Sequence, residues 1–495
     1  MIKPTLLASG IALLVAGCGG EDGGGSSAPT TPYYKVSFVN LASSSSSDSS
    51  CLIYDYDDVN NPTSKVIGYA ARPDSGYSIV IHNQDGSVAS TYTSADWGTA
   101  TSYRFKQSDV PTNGYVSFVS RVYSASRYSY EIVSYAKSVL PSSFSVYSGG
   151  SNAGGCITGK NTTIKERTGY ISQPDSGDYY FGFNTIIQDL DDVTANYAQL
   201  GLNNAAGISF YAPSNRSVIA IQYSRSGSDI GNVLAYKLTD LSSIGTLSSA
   251  VELNDVDYDD ATWSIPTDGT TLTSANIHIY NTKSGAVLWQ PLETTSDNTY
   301  SYAAALGSSN YYLNLEGSYK DWDIAYVASM TSASSGVDMT STISGLDIPA
   351  QQDVEIASCS SAASGSCYVV NSSSSAHNDI TMRLQAYNNV SSIGNVSQVI
   401  YSGYQTQVPV LSFEDTVDDI WAGSELTYEL SLLKKSGTVL DKPFLYNQQD
   451  LTALLDNEAS TFSDPLPMLQ SYASRLSNQN LFKYTPHILL QASSD

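Results

Sequence analysis

The stretch GYAARPDSGY at residues 68–77 recurs as GYISQPDSGD at residues 169–178, an offset of 101 residues. The shared Pro-Asp-Ser-Gly core favours a tight turn, because proline fixes φ, aspartate hydrogen-bonds nearby backbone and glycine accepts positive φ. Apolar residues at alternate positions follow the turn (Tyr77, Ile79 and Ile81 in the first copy), as in a strand that buries one face. The recurrence indicates tandem structural modules, each about one hundred residues long.

Weaker matches extend the repeat beyond the turn motif. The run at residues 116–119 lies about one period before a similar run at residues 218–221. In the second half of the chain, Tyr326 and Tyr428 lie in strand-like runs and are 102 residues apart. We therefore predict four successive modules, at residues 33–140, 141–250, 251–352 and 353–446.

The composition favours strands and turns. The chain has 37 tyrosines against 11 phenylalanines, and tyrosine and threonine favour strands, whereas serine, glycine and asparagine favour turns. Short alternating runs separated by turn signals such as Asp85-Gly86 are typical of antiparallel sandwiches. We predict an all-β fold of tandem antiparallel β-sandwich modules. They are immunoglobulin-like only in a loose sense, because the Cys–Trp–Cys spacing is absent.

The C-terminal residues differ from the rest. Leu451, Leu454 and Leu455 follow a helical spacing. We predict that residues 447–495 form a short helical tail packed on the last module.

The N-terminus has the features of an export signal. Lys3 precedes an uncharged, mostly apolar stretch at residues 6–16, which is too short for the ~20 residues that span a bilayer. The stretch ends in Val-Ala-Gly-Cys at residues 15–18, which resembles the lipobox of bacterial lipoproteins. The resemblance implies that residues 1–17 are a signal peptide and that acyl chains such as palmitate on Cys18 anchor the chain in a membrane. An ordinary secretory signal with a coincidental cysteine is the alternative.

A tether follows the proposed cleavage site. Residues 18–32 are rich in glycine and serine, a composition that cannot bury a core. Gly19 stands where an aspartate would resemble the inner-membrane retention signal of lipoproteins. The resemblance therefore implies a location in the cell envelope, at the outer membrane of a host that has one.

The charge balance limits the partners of the chain. Asp and Glu number 47 against 23 Lys and Arg, a net charge of −24. Such a chain is expected to be a poor partner for nucleic acid and for anionic lipid headgroups.

Four cysteines remain when Cys18 is set aside, an even number that suits disulfides in an oxidising compartment. Cys359 and Cys367 flank a short Ser/Ala/Gly stretch that can close a small loop. Cys51 and Cys156 are then left to pair with each other, although two buried free thiols are the alternative.

Two acidic loops are candidates for calcium, which takes six to eight oxygen ligands. The candidate ligands are Asp55, Asp57, Asp58, Asp255, Asp257 and Asp259. The EF-hand pattern fails in the second loop, because Asp260 occupies the position that requires glycine. A solvated acidic loop is the alternative reading of both segments.

Enzyme motifs are not evident. The sequence has no His-Glu-x-x-His, Gly-x-Ser-x-Gly or phosphate-binding glycine loop, and His278 is expected to point to solvent from a strand. The five tryptophans are candidates for carbohydrate stacking or for the core. We predict a non-enzymatic protein.

Three functions compete. The first is a binding or structural protein, a tethered rod of modules that serves surface display or adhesion, with an envelope, matrix or carbohydrate ligand. The second is a periplasm-facing outer-membrane scaffold or assembly factor, which would need a groove or a sheet edge for client peptides. The third is an envelope enzyme that acts on polysaccharide through a pair of carboxylates.

Overall fold

A computed structural model describes residues 32–494 with several gaps. The segments outside the description are residues 45–49, 57–63, 125, 173–178, 188–196, 201–206, 227–228, 246–249, 257, 268, 321, 331–333, 337–353, 371–378, 422–426, 447–464 and 467.

Strands dominate the described chain. The strands of the first half, in chain order, are β1 (Tyr33–Ser44), β2 (Ile53–Tyr56), β3 (Lys65–Arg72), β4 (Tyr77–His82), β5 (Val88–Tyr92), β6 (Ser102–Lys106), β7 (Tyr115–Ser124), β8 (Arg127–Ala136), β9 (Ser143–Tyr147), β10 (Ser151–Cys156), β11 (Ile164–Ser172), β12 (Tyr179–Asn184), β13 (Tyr197–Leu200), β14 (Gly207–Pro213), β15 (Val218–Ser226) and β16 (Asp229–Thr239). The strands of the second half are β17 (Val251–Glu252), β18 (Asn254–Asp255), β19 (Tyr258–Ser264), β20 (Thr270–Asn281), β21 (Gly285–Pro291), β22 (Asn298–Tyr302), β23 (Tyr311–Tyr319), β24 (Trp322–Ser329), β25 (Ser334–Gly336), β26 (Val354–Ser358), β27 (Ser366–Val370), β28 (Ile380–Val390), β29 (Gly394–Gly403), β30 (Gln407–Pro409), β31 (Thr427–Lys435) and β32 (His487–Ser493).

Helices are short and few in the described ranges. They are α1 (Ser94–Trp97), α2 (Asp415–Trp421), α3 (Asp441–Leu445) and α4 (Tyr472–Tyr484), with 3-10 turns at Gln107–Asp109, Leu241–Ser243, Ala304–Leu306 and Ser308–Asn310. Among these helices, none has both the length and the apolar character needed to cross a membrane. The fold is therefore all-β with a small helical part near the C-terminus.

Four segments of the chain each form a four-stranded antiparallel sheet with the same connectivity. The strand orders are β5-β4-β7-β8, β13-β12-β15-β16, β21-β20-β23-β24 and β29-β28-β31-β32. The first copy of the turn motif leads directly into β4, and β12 begins directly after the second copy, whose Pro-Asp-Ser-Gly core lies outside the described residues. The two copies therefore precede equivalent strands.

A smaller sheet packs on each four-stranded sheet to complete a sandwich. In the first three modules, one strand pairs antiparallel on one side and parallel on the other: β1 with β6 and β9, β11 with β14 and β17, and β19 with β22 and β25. In the fourth, β27 pairs antiparallel with β26 and β30. The strand β9 begins at Ser143, just after the predicted boundary at residue 140, so it completes the sheet of the first module from beyond that boundary.

Three of the four-stranded sheets join edge to edge into one sheet of twelve strands. The third module joins the fourth through the antiparallel pair β24 and β32, and the fourth joins the first through the parallel pair β29 and β8. The rod expected from the tandem repeat is therefore wrong for these three modules, which lie side by side. The physical reason is that an exposed edge strand has unpaired main-chain N–H and C=O groups. Pairing with the edge strand of another module gives these groups hydrogen-bond partners.

The fourth module takes its last strand from the predicted tail. The tail is helical over α4, as expected, but it continues into β32, where Ile488 and Leu490 are buried between β24 and β31. The match between Tyr326 and Tyr428 is also corrected. Tyr326 lies in the fourth strand of its sheet, whereas Tyr428 lies in the third strand of the next sheet.

The second module covers an edge of the third. Asn184 donates its side-chain amide to the Leu288 carbonyl at 2.8 Å, and the Tyr223 hydroxyl donates to the Trp289 carbonyl at 2.9 Å. Both acceptors belong to β21, the end strand of the large sheet. Side chains of the second module thus hydrogen-bond directly to the main chain of this edge strand.

Candidate functional site

The anchor residue Cys18 and residues 19–31 lie outside the described residues. The described chain begins at Pro32, whose carbonyl accepts the Gln107 main-chain N–H at 2.9 Å. The predicted tether therefore reaches the body at the end of β1 that is paired with β6.

Both predicted disulfides are present. Cys51 and Cys156 are bonded, with Cα atoms 5.5 Å apart, and link the chain before β2 to β10. Cys359 and Cys367 are bonded across the turn between β26 and β27, with Cα atoms 5.7 Å apart.

The calcium candidates are only partly described. Asp57, Asp58 and Asp257 lie outside the described residues, as does the side chain of Asp259, and Asp255 is exposed on β18. In the described part of the chain, no group of three or more metal-binding side chains comes together. Calcium binding by the two acidic loops stays a prediction. Asp55 is the exception, because the structure gives it another partner.

Asp55 is placed in a different role. It is buried on β2, and both of its carboxylate oxygens contact the Arg475 guanidinium of α4. Tyr472, one turn earlier on α4, packs its ring beneath that guanidinium. The carboxylate is neutralised by a cation of the chain itself, a contact that competes with any calcium ion at this position.

His82 belongs to a buried hydrogen-bonded chain rather than to an open site. Its Nε2 lies 2.9 Å from the Ser117 hydroxyl, which lies 2.8 Å from the Ser134 hydroxyl. The Gln398 amide of β29 donates to Ser134 at 3.2 Å. The chain of contacts crosses the parallel junction between β8 and β29. Burial lowers the pKa of His82 to about 4, which keeps the imidazole neutral at pH 7.

His278 is buried, so the expectation that it points to solvent is wrong. Its side chain is 1% exposed, and neither ring nitrogen has a hydrogen-bond partner in the described structure. The helix α4 covers this face of β20, where Tyr484 stacks on Tyr280 at 4.2 Å. Burial, followed by the charge of Lys483, lowers the pKa of His278 well below its ordinary value.

The tryptophans belong to the core. All five are at most 5% exposed: Trp97, Trp263, Trp289, Trp322 and Trp421. An aromatic surface for a ligand must therefore come from tyrosines.

An open cleft of about 370 Å³ lies on one face of the β5-β4-β7-β8 sheet. Its floor is made of Ser78 and Val80 on β4, Thr91 on β5 and Val119 on β7. The register sets Val80 opposite Thr91 and Ser78 opposite Val119, so hydroxyl groups and methyl groups lie side by side. Phe413 and the start of α2 form the wall. We call this the Arg121 cleft, after the charged residue at its end.

A charged pair closes that end. Arg121 Nη1 donates to both oxygens of Glu414, at 3.1 and 3.0 Å, and the Tyr130 hydroxyl donates to Glu414 Oε1 at 2.5 Å. Burial and the neighbouring carboxylate raise the pKa of Tyr130, so its phenol stays protonated and able to donate. Partial burial acts to lower the pKa of Arg121, but the hydrogen bond and the charge of Glu414 outweigh it and the pKa is raised.

Tyrosines continue the cleft outward along the β7–β8 hairpin. Tyr128 lies beneath the Arg121 guanidinium, whose carbon is 5.9 Å from the ring centroid. Tyr123 pairs with Tyr128 in register, their ring centroids are 4.6 Å apart, and Tyr123 is 61% exposed. Since positions 119, 121 and 123 of a strand share one face, the aromatic pair lies on the same face as the cleft floor.

A second cleft, of about 680 Å³, borders β28 and α3. Its cation, Lys435, is buried and bound by Asp441 at 2.5 Å. The Arg121 cleft differs because its cation, Arg121, lies over Tyr128, whose ring contacts the exposed Tyr123. For this reason we treat the smaller cleft as the candidate site.

Sequence reasoning missed this site. A signal was nonetheless present, because Tyr123 and Tyr128 flank a short polar turn between two strand-like runs, and exposed large apolar residues can mark a binding surface. The link from Arg121 to Glu414 joins residues 293 positions apart, which no local pattern predicts. No family model and no curated protein matches this chain.

Proposed function

We propose that this protein is a lipid-anchored, non-enzymatic binding protein of the cell envelope. In this proposal, acyl chains on Cys18 hold it at the outer membrane, and the folded body is displayed at the cell surface for adhesion. Its ligand is a carbohydrate that occupies the Arg121 cleft and stacks on Tyr123.

The observation that carries the proposal is that the cleft leads, through Arg121 and the Tyr128 ring beneath it, to the exposed Tyr123. A sugar ring has hydroxyl edges and apolar C–H faces. The cleft offers hydroxyl groups beside valines on its floor, a charged pair at its end and an open aromatic ring beyond. A concave, mostly apolar surface with a few convergent polar groups is the usual form of a ligand site.

The position of the cleft supports display of the ligand site. Ile79 and Ile81 of β4 pack into the core shared with β1, whereas Ser78 and Val80 point to the opposite face and line the cleft. The chain to the anchor leaves from β1, so the anchor side and the cleft side are separated by the thickness of the sandwich, ~10 Å between sheets. Residues 18–32, fully extended, span at most roughly 50 Å.

The test is attachment of intact cells to an array of immobilised glycans. Cells that carry the parent chain are expected to attach to a subset of glycans. Tyr123→Ser should reduce attachment about tenfold, the loss of a stacking contact of ~1–2 kcal/mol. Val439→Ser removes another exposed apolar side chain, one that does not line the cleft, and serves as the control.

Three outcomes separate the parts of the proposal. If purified protein binds glycans but cells do not attach, the site stands and surface display fails, which favours the periplasm-facing alternative. If Cys18→Ala is secreted and still binds glycans, anchoring and binding are separate functions of one chain. If Tyr123→Ser and Arg121→Gln bind as the parent does, the Arg121 cleft is not the site.

A further inference from the structure

A cluster of cations lies on the outer face of β1 and β6. Tyr34, Val36 and Phe105 point into the core, so the alternate residues Lys35, Arg104 and Lys106 point outward. We call this the basic face. Tyr33 shares it and is 45% exposed. The chain carries a net charge of −24, so a concentration of cations runs against its overall composition.

The register sets like charges against each other. Lys35 is directly opposite Arg104, and Lys106 is opposite Tyr33. Cross-strand partners have Cβ atoms ~5 Å apart, and like charges there are destabilising. None of the three cations forms an ion pair with another described residue. Asp109 accepts the Lys106 main-chain N–H at 3.1 Å and is an acidic group beside this face.

The basic face is also the point at which the chain leaves for the anchor. Pro32 is hydrogen-bonded to Gln107, next to Lys106, and Cys18 lies 14 residues before Pro32 in the sequence. A membrane that holds the acyl chains therefore lies within reach of this face. Tyrosine suits a membrane–water interface, because its ring is apolar and its hydroxyl is polar.

We infer that the basic face docks on anionic phospholipid headgroups of the leaflet that holds the Cys18 acyl chains, which turns the Arg121 cleft away from the membrane. This inference rests on the lipid anchor of the proposed function. The net negative charge of the chain does not prevent this docking. The Debye length is ~8 Å at physiological ionic strength, so only charges close to the headgroups act on them strongly. Basic residues next to an anchor add to membrane attachment in this way.

The experiment places the acylated full-length protein on vesicles of phosphatidylcholine alone and of phosphatidylcholine mixed with phosphatidylglycerol in equal amounts. Flotation reports the anchor on both. Acetylation rates of individual lysines, measured by mass spectrometry, report the orientation. Lys35 and Lys106 are expected to react about fivefold more slowly on the anionic vesicles, and high salt should restore their rates. The exposed Lys160 and Lys165 should react equally on both.

The outcomes distinguish the inference from the proposed function. Flotation with both vesicles but equal rates for Lys35 and Lys106 would overturn the docking and leave the anchor intact. Failure to float with either would overturn both. Slower acetylation of Lys35 and Lys106 on vesicles with lipopolysaccharide, but not on those with phosphatidylglycerol, would show that the basic face binds a different anion. That result would overturn the inference.

The cations of the basic face have two possible roles, membrane docking and prevention of aggregation at a sheet edge. A charge reversal distinguishes them. β6 ends its sheet, and charged residues on such edges also prevent aggregation, whichever their sign. Arg104→Glu keeps both reporter lysines, and docking predicts that it abolishes their protection on anionic vesicles. Lys165→Glu, with the same change of charge elsewhere, should leave the protection unchanged. Full protection in Arg104→Glu would contradict docking.

Discussion

Arg475 on α4 and Asp55 on β2 form a buried ion pair between residues 420 positions apart in the sequence. The two residues are 7% and 6% exposed, and Nη1 lies 2.9 Å from Oδ2. The pair ties the C-terminal helix to the first module. Together with β32, which enters the large sheet, it makes the end of the chain part of the packed body.

This pair should be essential to stability. Arg475→Leu removes the guanidinium from the buried Asp55 carboxylate, and we expect the free energy of unfolding to fall by about 3–5 kcal/mol. Asp55→Asn with Arg475→Leu should recover part of the loss, because the buried negative charge is removed together with the guanidinium. Urea denaturation measures both. Equal losses in the single and the double variant would mean that packing, not charge, explains the effect.

The two disulfides should differ in their contributions. Cys51 and Cys156 have a sequence separation of 105, against 8 for Cys359 and Cys367. In the chain-entropy model, the longer loop constrains the unfolded chain more. Replacing both cysteines of a bond by serine should therefore cost roughly 5 kcal/mol for the first bond and roughly 2–3 kcal/mol for the second. Urea denaturation of the two double-serine variants compares them directly, and a larger loss for the short loop would refute this ordering.

Gly394 should be required at the parallel junction between β29 and β8. It lies opposite Tyr128, and a Cβ added to Gly394 would collide with the Tyr128 main-chain carbonyl. Gly394→Ala should cost roughly 1–3 kcal/mol and speed hydrogen exchange in both strands. Gly403 ends the same strand, and a Cβ there meets no atom within 4 Å. Gly403→Ala should leave exchange unchanged, and similar effects of the two substitutions would contradict the account of the junction.

His82 should make stability depend on pH. Its pKa is about 4 in the folded protein and ordinarily 6.5, so between these values the unfolded chain binds a proton that the folded chain does not. The contribution is fully present above pH 6.5 and is lost as the pH falls towards 4, with a slope of at most ~1.4 kcal/mol per pH unit.

Two substitutions isolate that effect. His82→Gln should flatten the pH dependence of the free energy of unfolding in this window. Ser117→Ala removes the hydrogen-bond partner of His82 but leaves the titrating group, so it should lower stability while keeping the slope. An unchanged slope in His82→Gln would show that His278 or other groups cause the dependence.

The repeat made much of the fold predictable from sequence. The Pro-Asp-Ser-Gly turn and its spacing pointed to tandem β-sandwiches, because turn chemistry and alternation are local properties. The joining of sheet edges was not predictable, since main-chain pairing between β29 and β8 has no side-chain signature. The fourth module also departs from the spacing because α2, α3 and α4 interrupt its strands.

The candidate site was less predictable. The disulfides followed from the number and spacing of the cysteines, but Asp55 was assigned to an acidic loop because its partner, Arg475, is distant in the sequence. His278 follows a polar pattern on β20, and only the packing of α4 buries it. The Arg121 cleft depends on three segments, β4–β5, β7–β8 and the start of α2, that come together only in the folded chain.

Mass spectrometry of the N-terminal peptide of the mature protein, purified from membranes, tests the central claim most directly. The lipid-anchor account predicts a chain that begins at Cys18, carries a diacylglycerol-modified thiol and partitions into detergent. A chain that retains residues 1–17, or one that is cut elsewhere and found in the aqueous phase without acyl chains, would contradict it.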